Sequence, residues 1–263
     1  MVVIKTPEEE REVEIAGKKL GGLFDYIRPF VKPGVSTLEL DKLSEDYIKS
    51  TGGKPSFNTV DNYPNTICSS VNDGIIHQIP SRDVSLKEGD LLKIDVGNID
   101  GSGYQGDAAR PFPVGKVTPK VQELMDATEE AFWEALKTVR PGSHVSDIGC
   151  AIQRVAQAHG FYALEEYGGH GIGTSMHEDP FIPNCGTIPH RGPVIRAGMC
   201  ICIEPMLIMG TKHIKLQDDG WGVVSQDGSY GCHYENTICV YSDHNVIASV
   251  DESVRKHLAK EVL

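Results

Sequence analysis

Glu204 closes the run "MCICIEPML" (residues 199 to 207), and Asp95 stands in the same way in "LLKIDVG" (91 to 97). Each acid follows a stretch apolar enough to be buried on both faces of a strand. A buried, ionised carboxylate without a partner is costly, so either the strand has reached solvent there or a cation meets it. Two further acids follow on the next extended segments, Asp107 in "GYQGDAARPFPVG" and Glu235 in "GCHYENTICVY". The turn signal Asp100-Gly101 folds the Asp107 segment back as a hairpin, which sets Asp107 beside Asp95. Residues opposed on a ladder stand roughly 5 Å apart, within reach of one ion. Four such carboxylates repel one another unless neutralised, and two divalent cations balance their charge. Imidazoles are the next candidates. His170 and His177 lie in "GGHGIGTSMHEDP", where the glycines allow backbone to approach a ligand closely, and His77 lies in "NDGIIHQIP" just before the acid-bearing hairpin.

An internal repeat positions these residues. "VKPGVSTLELDKLSEDYIKSTGG" (31 to 53) aligns with "VRPGSHVSDIGCAIQRVAQAHGF" (139 to 161), each reading as a helix end, a Pro-Gly turn and a new helix. A helix precedes each copy. Thr6-Pro7 and Thr118-Pro119 both offer an N-cap hydroxyl followed by Pro at the first helical position, and Glu9 completes a capping box. Ala16, Leu20, Leu23, Phe24, Ile27 and Phe30 keep a helical period, as do Leu124, Ala127, Ala131, Phe132 and Leu136. The strands extend the repeat, so "LKEGDLLKIDVG" (86 to 97) matches "IRAGMCICIEPM" (195 to 206) and Asp95 falls opposite Glu204. Asp107 matches Glu235 more loosely. Two halves of one order, roughly 1–115 and 116–263, are expected to form a single catalytic domain over 1–263.

Composition narrows the partners. The 263 residues are 40% hydrophobic, enough for a large core, and the formal charge of −12 is a poor match for a nucleic-acid backbone. Nucleic acid is therefore not expected as a direct substrate. The opening "MVVIKTPEEEREVE" is acidic where a leader would be apolar, and no run approaches the roughly 18 apolar residues of a membrane span. A cytoplasmic chain without a membrane partner is the expectation. The seven cysteines (68, 150, 185, 200, 202, 232 and 239) form an odd set without a CxxC pair, which suits reduced thiols.

The ordered set "SVNDGIIHQIP", "KIDVG", "GDAARPFPVG", "GGHGIG", "MHEDP", "IEPM", "DGW" and "YENTICV" resembles the type I methionine aminopeptidases over nearly the whole chain. The resemblance implies an α+β pita-bread fold, in which a curved, mainly antiparallel sheet is backed by two helix pairs related by a pseudo-twofold axis. It implies Asp95, Asp107, His170, Glu204 and Glu235 as ligands of two divalent ions (Co, Mn, Fe or Zn), with Asp107 and Glu235 bridging. It implies removal of the initiator methionine before a small second residue, by hydrolysis with a water or hydroxide shared between the metals. Glu204 would then be the general base, His177 would stabilise the oxyanion and His77 would bind the substrate amide. Phe57, Tyr63, Cys68, Met176 and Trp221 would line the first-residue pocket. The implied substrates are N-termini of nascent polypeptides, at the ribosome or free of it, and the implied state is a monomer.

Several positions differ from the family pattern. Ala108-Ala109 replace a Thr-Ser pair, and Gly97 replaces a Thr, so hydroxyls that would orient metal ligands are expected to be missing. Gln78 replaces Gly after His77, and Gly168 replaces Cys before "GHG", which is expected to alter the pocket rim. Proline-specific relatives share the fold but usually carry a large extra N-terminal domain, and type II aminopeptidases carry an inserted helical subdomain for which the His177 to Glu204 spacing leaves no room. A non-catalytic binding protein of the same fold is the remaining alternative, and the presence of all five ligands argues against it.

Overall fold

A computed structural model describes residues 1–261, so the last two positions of the expected 1–263 domain lie outside the described residues. The first half opens with helices α1 (Pro7–Ile27) and α2 (Thr37–Ser50). Its strands are β1 (Lys54–Pro55), β2 (Ile67–Val71), β3 (Gly74–Ile76), β4 (Leu91–Ile99) and β5 (Gln105–Pro113). The second half repeats the pattern with α3 (Pro119–Leu136) and α4 (Val145–Ala158). Its strands are β6 (Tyr162–Ala163), β7 (Gly168–Gly171), β8 (Glu178–Pro183), β9 (Met199–Ile203), β10 (Met206–Ile208), β11 (Ile214–Leu216), β12 (Val223–Ser225), β13 (Gly231–His233), β14 (Glu235–Val240) and β15 (Asn245–Ile247). Helix α5 (Glu252–Glu261), which the repeat does not announce, follows.

The caps form as their chemistry dictates. Thr6 Oγ1 accepts from Glu9 N while the Glu9 carboxylate accepts from Thr6 N, and Thr118 Oγ1 accepts from Val121 N. Gly34 and Gly142, at equivalent turns, have φ of 92° and 97°, a left-handed conformation that only glycine takes without strain. Two isolated bridges, Ser36 to Ser85 and His144 to Val194, mark the same junction in each half.

The strand order shows the pseudo-twofold relation directly. The main sheet of nine strands runs β1-β4-β5-β14-β9-β7-β8, with β2 pairing β4 and β15 pairing β14, and every pair is antiparallel. Its centre reads β4-β5-β14-β9, the order required if β4 corresponds to β9 and β5 to β14. Each half has its own apolar core. Leu20, Leu23, Phe24 and Leu40 of the first helix pair pack on Leu92, Ile94 and Phe112, while Leu124, Phe132, Ile148 and Ile152 of the second pack with Ile201, Ile203 and Ile238. The helices thus back the sheet and leave its other side free for a site. Three strands, β13-β10-β6, and another three, β11-β12-β3, form small sheets beside the main one.

Candidate metal centre and substrate cavity

Sheet register explains why the acids meet. Cys68 on β2 is opposite Asp95 on β4, Asp95 is opposite Ala109 on β5, and Ala109 is opposite Glu235 on β14. Directly opposed residues point to one side of a sheet, so this row carries two acids with a small alanine between them. On β14, Asn236 is opposite Ile203, the last residue of β9, so Glu204 follows immediately at the Glu235 end of the row. Asp107 differs from expectation. It is opposite Gly97, not Asp95, because the connection turns over residues 100–104, where Gly103 rather than Gly101 takes the positive φ. Asp107 therefore lies diagonal to Asp95 on the same face of the sheet, close enough for its charge to act on both Asp95 and Glu235.

The cluster is buried and short of cations. Asp95, Asp107 and Glu235 are 7%, 4% and 2% exposed, and Asp95 Oδ1, Asp107 Oδ1 and Glu235 Oε1 have no hydrogen-bond partner. Burial, then Asp107 and Glu204, raises the Asp95 pKa far above the ordinary value, and burial, then Asp107, Glu204 and Asp95, does the same to Glu235. Burial, with Asp107 adding to it, pushes Glu204 up to about 7. The two buried side-chain cations nearby are engaged elsewhere. Arg110 bonds Asn236 Oδ1 and the carbonyls of Glu235 and Ser249, and pairs with Asp251, while Lys93 Nζ bonds the carbonyls of Asn72 and Leu91. The donor set, hard oxygens with imidazole, fits divalent ions of the Mn, Fe, Co and Zn series.

His170 sits on β7, where the glycines allow a tight approach: a Cβ at Gly169 would strike the Cys202 carbonyl. His170 Nδ1 is 2.8 Å from Gly171 O, which leaves Nε2 facing Asp107 Oδ2 at 3.6 Å and Glu204 Oε1 at 3.9 Å. Burial opposes its charging, but the two carboxylates outweigh burial and its pKa is raised. The His177 ring packs edge-on to it at 4.5 Å between centroids, and burial, then His170, lowers the His177 pKa. His77, held at φ 61°, is driven down to about 4 by burial and by His177.

A cavity of about 530 Å³ opens over the acids. Asp95, Asp107, His170, Glu204 and Glu235 form its polar part, His77 and His177 also line it, and Phe57, Tyr63, Cys68 and Trp221 supply an apolar wall. The wall is ordered by edge-to-face rings, Phe57 on Tyr63 at 6.2 Å and Tyr63 on Trp221 at 5.0 Å. Met176 does not line the cavity. Its methyl group lies where a Cβ at Gly97 would stand, in the same apolar cluster as Phe57. Gln78 is likewise off the lining, since it accepts from Val71 N and donates to Gln217 Oε1, tying β2 to the segment that carries Trp221. Gly168 is at the rim as expected. Near Ala108-Ala109 a hydroxyl does remain: Thr237 Oγ1 accepts from Asp107 N and donates to Asp107 O across the strands.

Two polar groups beside the acids are absent from the expected set. Cys202 Sγ groups with Asp107, His170 and Glu235, and His233 groups with Glu204 and Glu235. His233 lies two residues before Glu235, a spacing that keeps one face on an extended chain and was the available signal. Burial, then His77, drives its pKa down to about 3.

The chain is similar to known metallopeptidases in sequence and in fold. The model of metallopeptidase family M24 matches residues 11–242. The methionine aminopeptidase of Clostridium acetobutylicum is 40% identical over 252 residues, covering 96% of this chain and all of that protein. That of Treponema pallidum is 40% identical over 256 residues, covering 97% and 99%. The crystal structure of methionine aminopeptidase from Thermotoga maritima superposes with a TM-score of 0.92 at 35% identity, and that from Rickettsia prowazekii with 0.91 at 36%, each covering 95% of this chain and all of the other. The fold is the pita-bread fold, and the chain belongs to metallopeptidase family M24.

Proposed function

We propose that this chain removes N-terminal methionine from nascent proteins and peptides in a metal-dependent hydrolysis, with Asp95, Asp107, His170, Glu204 and Glu235 as the metal ligands. The observation that carries the assignment is the set of sealed, unpartnered carboxylate oxygens at one end of a cavity whose wall is apolar. When held by these donors, two divalent ions would supply Lewis acidity for activating a water and polarising a carbonyl. Glu204, whose carboxylate lines the cavity, takes the proton of the attacking water and delivers it to the leaving amine. His177, neutral through burial, donates to the carbonyl oxygen as charge develops there. His77, also neutral, holds the substrate amide. Phe57, Tyr63, Cys68 and Trp221 receive the thioether side chain, for which a charged first residue would be desolvated without a partner. Met176 packs in the same apolar cluster.

The continuous main sheet supports reading residues 1–263 as one catalytic domain. Among the described residues no helix is long and apolar enough to cross a membrane, and we place the chain in the cytoplasm as a monomer that meets N-termini at or near the ribosome. The test is a peptide panel, Met-X-Ala-Ser against Leu-Ala-Ala-Ser and Ala-Ala-Ala-Ser, with Co or Mn added. Hydrolysis confined to Met first residues with small X is expected. Comparable rates on Leu, Ala and Met would make the chain a general aminopeptidase.

A further inference from the structure

His233 ends β13 with its imidazole beside the acids. It is 1% exposed, and neither Nδ1 nor Nε2 has a hydrogen-bond partner. Its Nε2 lies 3.6 Å from Glu204 Oε2 and 3.8 Å from Glu235 Oε2. N–H···O bonds run about 2.7–3.2 Å, so the imidazole bonds to neither carboxylate. Two donors each bound about 2.0–2.2 Å from one ion stand about 3.3–3.8 Å apart at wide ligand angles, which is the spacing found. Glu204 completes the pattern by turning one oxygen to each imidazole, Oε1 to His170 and Oε2 to His233.

We propose that His233 Nε2 is a further metal ligand, acting with Glu204 and Glu235, so that the site holds an imidazole on each flank of Glu204. The inference rests on the metal-hydrolase reading and adds a donor that the resemblance does not supply. A second imidazole has a chemical consequence. Nitrogen ligands favour Co and Zn over Mn, which prefers oxygen, so the site is tuned away from Mn relative to one with a single histidine.

The experiment counts imidazoles on the whole protein loaded with Co(II). Proton NMR of the wild type should show two exchangeable, hyperfine-shifted ring N–H signals, and His233→Gln should lose one while keeping the other. The same variant should lose about tenfold or more in Co(II) affinity, the scale on which disturbed ligand surroundings are felt, and lose less for Mn(II). A general packing defect would weaken both metals alike. A wild-type protein that binds Co(II) with a single imidazole signal overturns the assignment even if His233→Gln does not fold. Two signals that both survive in His233→Gln, or in His233→Asn, overturn it as well. A protein that binds no Co(II) contradicts the metal-hydrolase reading itself.

Discussion

Asp95 and Glu204 occupy corresponding places in the two halves, yet they reach the cavity differently. Asp95 is the fifth residue of the nine-residue strand β4, flanked by paired strands on both sides, and its short side chain is fixed by the sheet. Glu204 stands just past the end of β9, on a longer side chain that is 13% exposed. The same contrast separates Asp107, within β5, from Glu235, at the first position of β14. Most of the apolar wall, with His77, comes from the first half, while His170, His177 and His233 come from the second. Duplication has kept the frame of capped helices, Pro-Gly turns and palindromic strand order. The chemistry is divided: fixed acids and a substrate wall on one side, longer acids and imidazoles on the other.

The largest effect expected of this division is shared. Asp107→Ala and Glu235→Ala should each abolish peptide hydrolysis and weaken metal binding to the same degree, although they lie in different halves, because each leaves cations poorly held and mutually repelling. An active, fully metallated Asp107→Ala protein would contradict a bridging role for Asp107 and with it the two-metal reading. Next in size, His177→Ala should lower kcat by roughly 10² while metal content stays intact, as for loss of one oxyanion donor. Should metal be lost with His177, the imidazole is a ligand and the division of roles fails at that residue.

A smaller effect probes the first-half frame. Gly97→Ala pushes a methyl group into the place of the Met176 side-chain end and against Phe57. The cost should be about 1 kcal/mol, at the low end of overpacking because the end of a flexible methionine can move. Thermal denaturation of Gly97→Ala, Met176→Ala and the double variant measures the coupling. If the two changes simply add, Met176 does not fill the space Gly97 leaves.

The helix pairs and the four acids were legible because caps, Pro-Gly turns and strand-end acids recur at a nearly fixed offset, and each has a local physical cause. The register of Asp107 was not legible, since it depends on how many residues the turn consumes. The resemblance puts Met176 in the pocket wall, whereas its side-chain end fills the space that the missing side chain at Gly97 leaves, within the same apolar cluster as Phe57, Tyr63 and Cys68. His233 was not legible because the strand is interrupted at Tyr234, between β13 and β14, and the match of this segment to its first-half counterpart is loose. Its counterpart is Gln105, which is bonded to Ser56 and Thr174 and has no role at the acids.

The central claim is that the buried acids are gathered to hold cations. Its most direct test is the thermal stability of metal-stripped protein with and without Mn(II) or Co(II) as pH is raised from about 5 to about 8. Carboxyls whose folded pKa is raised, Glu204 to about 7 and Asp95 and Glu235 well above their ordinary value, keep protons that the unfolded chain releases near pH 4. Their contribution is full below about pH 4 and is lost as pH rises through the folded values. Ions in place of those protons remove the loss, while buried groups that hold no metal, such as Lys93, titrate in both forms and cancel in the difference. The gain in Tm on adding metal should therefore grow steadily with pH. A gain that is absent, flat or shrinking over that range would contradict the account.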